Sequence, residues 1–244
     1  MSNLPRVLLI QVRDQRPAES QERVAFIDAC GVPAESFSFH NVVDRPHIDW
    51  RDVEAFDVLL IGGAGTHSAT VDYDFTRPLS EVTKRWIDER RPLFGSCWGH
   101  HFLARLYGGE VLVDLEHEEV GTFDIDLTQI GRLDPIFRNV PARFAAQLGH
   151  HDRVAARPDG FEELAYSEMC RNQVLRMAGR PVYGTQFHCE LDDVRIRERL
   201  AMYQEEYVEP GMRVADVAVA PSPHPPHLLR RFFELFVPGA QALR

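Results

Sequence analysis

Cysteine is scarce in this chain. Its 244 residues include only Cys30, Cys97, Cys170 and Cys189, and no two of them form a CxxC pair. That pattern speaks against a disulfide scaffold and for a reducing compartment. Long hydrophobic runs are also missing. No apolar stretch approaches membrane-spanning length, and the N-terminus lacks a signal-peptide core with a cleavage site. The expected location is therefore cytoplasmic. Basic charge is in deficit: 27 Lys and Arg stand against 37 Asp and Glu, for a net charge of −10. An acidic chain is a poor partner for nucleic acid or an anionic membrane surface, and neither is expected. There is no internal repeat and no linker long enough to split the chain, so residues 1–244 read as a single domain. With 44% hydrophobic residues, such a chain buries a core without staples.

The apolar runs Arg6–Val12 and Asp57–Ile61 are near-continuous, as strands buried on both faces are. Helical spacing over Glu19–Ala29 ends at Gly31, and Phe37–Val43 alternates. Val53–Phe56 reads as a helical turn. Pro78–Arg90 carries Leu79, Val82, Trp86 and Ile87 on one stripe. This βαβα alternation predicts an α/β fold: a doubly wound, mostly parallel sheet with helices on both faces. The middle of the chain is more β-like, with strands expected over 110–114, 120–127, 143–148 and 161–167. That predicts a small additional β region. Val174–Met177 and Val182–Phe187 read as a hairpin, followed by a helix over 193–207. The proline-rich run 220–227 reads as a surface loop, and 227–237 as a closing amphipathic helix.

The stretch that carries chemistry is Gly95-Ser96-Cys97-Trp98-Gly99. It follows Pro92-Leu93-Phe94 and precedes the helical pattern of Phe102, Leu103, Leu106 and Tyr107. A Gly-x-Cys-x-Gly between strand and helix is the thiol version of the nucleophile elbow. The turn lifts a side chain out of the sheet at a helix N-terminus, where thiolate is favoured and the next backbone N–H can meet an oxyanion. The strand ending at Phe187 runs into His188-Cys189-Glu190. In extended backbone, residues i and i+2 project to one side, roughly 6.5–7 Å apart. Glu190 can then orient His188 toward a thiol, with Cys189 pointing the other way as a packing residue. The histidines are numerous, but no HxxxH or HExxH spacing occurs, so no metal and no cofactor is expected. The acidic cluster Glu116, Glu118 and Glu119 reads as a solvated face, with a wall over the site as the alternative.

Together these segments resemble class I glutamine amidotransferases. Gly95–His100 is similar to the family's G-x-C-x-G-[HF] motif, Gly184–Glu190 to G-x-Q-F-H-P-E, and Ile61–Gly65 to the G-G-P-G oxyanion strand. Gly149–Val154 is similar to the S-H-x-D-x-V loop of GMP-synthetase-like members. The resemblance implies a flavodoxin-like amidotransferase fold and a triad of Cys97, His188 and Glu190. It implies oxyanion donors on the backbone of Gly63 and Trp98, and substrate contacts from Gly62, His101, His150 and Asp152. The implied reaction hydrolyses the side-chain amide of glutamine through a γ-glutamyl thioester. Ammonia then passes to a separate synthase subunit or is released. The resemblance also leaves room for a homodimer. One departure bears on substrate: His101 stands where the family has a glutamine-binding Gln. Hydrolysis of another γ-glutamyl amide or peptide stays open on that ground, as does a catalytically silent binding relative.

Overall fold

The computed structural model describes residues 4–208 and 211–240. The parallel half of the main sheet comes from β1 (Val7–Val12), β2 (Phe37–Asn41), β3 (Val58–Ala64) and β4 (Leu93–Ser96). Strands β1 and β4 are buried at every position, and β3 is buried at all but its last residue, Ala64, as strands covered on both faces must be. Side chains alternate between the two faces. Val7, Leu9, Leu60 and Phe94 pack on one side against α1 (Arg16–Cys30) and α8 (Pro225–Phe236), through Phe26, Leu228, Phe232 and Phe233. Leu8, Ile10, Leu59, Ile61 and Leu93 pack on the other side. They meet Leu79, Val82 and Trp86 of α3 (Thr76–Asp88), and Phe102 and Leu103 of α4 (Trp98–Leu106). Each fully buried phenylalanine or leucine in these layers contributes roughly 1.5–3 kcal/mol.

The antiparallel half adds β6 (Glu119–Leu127), β7 (Arg143–His150), β9 (Phe161–Tyr166), β10 (Val174–Met177) and β11 (Val182–Thr185). The nine strands run in the order β2-β1-β3-β4-β11-β10-β9-β6-β7, with β11 parallel to β4 and antiparallel to β10. A second, two-stranded antiparallel sheet joins β5 (Glu110–Val113) to β8 (Asp152–Ala156). The doubly wound fold and the extra β region are both as expected.

Several local expectations need correction. Gly149–Val154 is not a loop: β7 runs to His150, and β8 begins at Asp152. Strand β3 continues through Gly62 and Gly63 to Ala64, paired to β1 across an irregularity. The helix over 193–207 is broken at Tyr203 into α6 (Asp193–Met202) and α7 (Gln204–Tyr207). The run 220–227 is helical at its end, because Pro225 and Pro226 occupy the first turn of α8, where no backbone N–H is needed. The short turn before β3 is α2 (Trp50–Val53), three residues earlier than the sequence suggests. Asp49 and Asp52 close a capping box there. Among the described residues, no helix is long and apolar enough to cross a membrane.

Candidate active site

Cys97 sits between β4 and α4 with φ 50° and ψ −101°. A non-glycine residue in that region is strained, and here the surroundings enforce it. Its N–H donates to Thr185 O at 2.7 Å, and its carbonyl accepts from His101 N at 3.1 Å. The flanking glycines are required by close backbone approach. A Cβ on Gly95 would lie 2.6 Å from Gly99 C, and one on Gly99 would lie 2.3 Å from Ile61 O. The elbow is thus wedged between β3, β11 and its own helix.

His188 and Glu190 lie beyond the end of β11, which stops at Thr185, three residues short of His188. They do not meet through strand alternation. An isolated antiparallel bridge to Gln147 fixes His188, its N–H donating to Gln147 O at 2.9 Å. His188 Nδ1 lies 2.6 Å from Glu190 Oε1, and Glu190 Oε2 accepts from Ser96 Oγ at 3.0 Å. Both side chains are buried. Burial opposes the imidazolium, but the Glu190 charge and a hydrogen bond with the Cys97 thiol outweigh it and lift His188 to about 9. Burial likewise opposes the Glu190 charge, and the His188 partner reverses this and lowers its pKa. Cys189 faces away, buried beside Thr185, and is a packing residue as the sequence suggests.

A cavity of about 190 Å³ opens over the thiol. Cys97, Trp98, His101, His150 and Asp152 all line it, as do Ala64, Gly65 and Tyr207. Asp152 is held by Ser68 Oγ and by Ala69 N at 2.7 Å. His101 Nε2 lies 2.5 Å from Gln186 Oε1, and burial lowers its pKa to about 4, so it is neutral. Gly62 and Gly63 are not at the cavity wall. A Cβ on Gly62 would lie 2.7 Å from Glu22 Oε1, and the Gly63 N–H donates to that same oxygen at 3.2 Å. In this arrangement the N–H of Gly63 is directed at a buried carboxylate. The N–H of Trp98 belongs to the first turn of α4, where no intrahelical acceptor exists.

Sequence reasoning missed the groups beneath the site: Arg13, Glu22, Ser96, Gln186 and Tyr207. Ser96 and Gln186 were within sight, since each sits inside a recognised motif. Glu119 is a second correction. It is fully buried rather than on a solvated face, and its Oε2 lies 3.0 Å from His150 Nε2.

A thiol on a strand–helix elbow, backed by imidazole and carboxylate beyond the carboxyl ends of parallel strands, sits on a doubly wound α/β fold. The chain belongs to the class-I glutamine amidotransferase family, whose family model matches residues 30–200. It is 35% identical over 118 residues to the glutamine-hydrolyzing GMP synthase subunit of Methanocaldococcus jannaschii, covering 47% of this chain and 61% of that protein. The same subunit of Methanosarcina mazei is 30% identical over 145 residues, covering 59% and 69%. The chain spans little more than half the length of the curated relatives it matches first, at 61, 54 and 53%. The crystal structure of a glutamine amidotransferase from Thermotoga maritima shares the fold. Its TM-score is 0.74 at 20% identity, over 95% of this chain and 97% of that one.

Proposed function

We propose that this chain is a single glutamine amidotransferase domain hydrolysing the side-chain amide of glutamine, with Cys97, His188 and Glu190 as its triad. The observation that carries the reading is the 2.6 Å contact between His188 and Glu190 behind a thiol held at positive φ. Cys97 Sγ attacks the amide carbon. His188, held cationic by Glu190, gives its proton to the departing ammonia. The oxyanion meets the N–H of Trp98, joined by that of Gly63 once the peptide turns from Glu22. Water activated by neutral His188 then cleaves the thioester, releasing glutamate and restoring the thiol. The cavity suits an amino-acid-sized ligand, and Asp152 offers a carboxylate to a substrate ammonium. The relatives' name, which makes each of them one subunit of a GMP synthase, supports transfer of the ammonia to a separate synthase subunit.

The buried His101 favours a second reading, in which another γ-glutamyl amide is the substrate. Comparing glutamate release from L-glutamine with release from γ-glutamyl anilide separates them. The primary reading expects glutamine to be the better substrate by kcat/KM, with one ammonia per glutamate. The reverse order selects the second reading, and inertness toward both, with and without a synthase partner, refutes the two together.

The raised His188 pKa predicts a pH profile. Proton donation persists while the imidazolium does, so the alkaline limb of kcat/KM falls near 9. Glu190→Gln moves that limb down toward the ordinary imidazole value of about 6.5. Stability follows the same sign. The folded pKa lies above the unfolded one, so the contribution is complete below about 6.5 and is lost as pH rises through 9. A limb that stays put in Glu190→Gln contradicts the assignment.

A further inference from the structure

We propose that Glu119, His150 and Cys170 bind a divalent transition-metal ion of the zinc type. The ion would be a structural clip behind the cavity wall and play no part in the thiol chemistry. One ligand atom from each residue lies within 4.8 Å of the others, and the three residues are 0%, 3% and 2% exposed. Tetrahedral zinc with nitrogen, oxygen and sulfur ligands sets those atoms roughly 3.3–3.8 Å apart, within reach of this cluster by small side-chain shifts.

The hydrogen bonds point to a cation. His150 Nδ1 lies 3.0 Å from the Asp152 carbonyl, an acceptor, so Nδ1 carries the proton. Its Nε2 then turns a lone pair toward Glu119 Oε2 at 3.0 Å, where two acceptors face one another. Glu119 Oε2 also accepts from Gln173 Nε2 at 2.5 Å, and the conflict with the ring nitrogen is removed by either a proton or a metal ion. A second proton on the ring would serve this contact, but it leaves Glu119 Oε1, buried and without a hydrogen-bond partner, unexplained. Nor does it gather the Cys170 sulfur, which lies 3.1 Å from the His117 carbonyl and also meets the Glu119 carboxylate, into one centre with the imidazole. A divalent ion answers all three groups. It takes Oε1, the imidazole lone pair and the thiolate, and with one carboxylate and one thiolate the buried site is neutral. Nitrogen, sulfur and a carboxylate form a donor set suited to zinc. The bond from Nδ1 to a backbone carbonyl is the support that metal-bound histidines have.

The placement gives the clip a role. Glu119 opens β6 and is paired with His150 at the end of β7, while Cys170 lies in the connection from β9 to β10. The ion would tie these three segments together and fix His150 and Asp152, both of which line the cavity.

The test is metal analysis of the untagged chain after growth with added zinc, with cobalt substitution as a second readout. About one zinc per chain is expected, with a thiolate-to-cobalt charge-transfer band in the cobalt form. Cys170→Ser should abolish the band and weaken zinc binding by at least the roughly 10–100-fold that outer-shell losses cost. Cys97→Ser should leave both unchanged. Folded wild-type protein that binds no zinc or cobalt overturns the proposal and leaves the doubly protonated His150. Metal that survives Cys170→Ser but vanishes in Cys97→Ser overturns it too, by moving the site to the elbow.

Discussion

On the proposed reading, Cys97→Ala should lower glutamine hydrolysis by roughly 10⁴-fold or more, because the imidazole and carboxylate have no nucleophile to serve once the sulfur is gone. The His188 imidazole and the Glu190 carboxylate should stay in place. Glu190 is held by Ser96 and His188 by the Gln147 carbonyl, and neither restraint involves the thiol. The loss should therefore appear in kcat with little change in the affinity for glutamine, read by isothermal titration. The strained backbone gives an independent check. Cys97 has φ 50°, a region that only glycine enters without penalty. Cys97→Gly should be as inactive as Cys97→Ala and more stable than it, by about 1 kcal/mol. A glycine variant less stable than the alanine one means that the elbow is not strained. Hydrolysis that persists in either variant removes Cys97 from the mechanism.

What the sequence made legible here is what lies close along the chain. The apolar runs of β1, β3 and β4 identify themselves because strands covered on both faces leave no polar alternation. The elbow is legible because its glycines answer a local steric demand, with Gly99 pressed to Ile61 O. His188 and Glu190 were found through their place in a motif, although extended alternation was the wrong reason, since the strand has already ended. The hidden part is long-range polar structure. Helix α1 shows why. Its buried residues include Glu19 and Glu22, while Val24 is 52% exposed, so its hydrophobic periodicity understates which face turns inward. Glu22 gains its partners only when Gln11 arrives from β1, Arg13 from the residue just past it, and Gly63 from β3. Glu119 and His150 likewise meet only because β6 and β7 pair in that register. No spacing in the sequence encodes such meetings.

The Arg13–Glu22 pair carries the other large effect. Both side chains are almost wholly buried, and Arg13 Nη2 lies 2.6 Å from Glu22 Oε1. Gln11 Nε2 reaches Oε2 at 2.9 Å, the Gly63 N–H reaches Oε1, and Tyr203 bonds to Arg13. Burial works against the Arg13 charge, but Glu22 outweighs it and keeps the guanidinium fully charged. Glu22→Leu leaves that charge without a counterion beside Arg199, a second buried cation. Breaking a buried pair from one side costs about 3–5 kcal/mol. For a chain of this size, that lowers the melting midpoint by roughly 6–20 °C. Removing both charges is the discriminating comparison. Arg13→Met combined with Glu22→Leu should be more stable than Glu22→Leu alone, because the uncompensated charge goes with it. Recovery should remain incomplete, since the Gly63 N–H loses its acceptor and Gln11 Nε2 keeps only the Glu19 carbonyl, and a buried orphan costs about 1–3 kcal/mol. A double variant no more stable than Glu22→Leu would show that the carboxylate matters as an acceptor for Gln11 and Gly63 rather than as a counterion. In either case the strand end behind the thiol depends on a carboxylate contributed by α1.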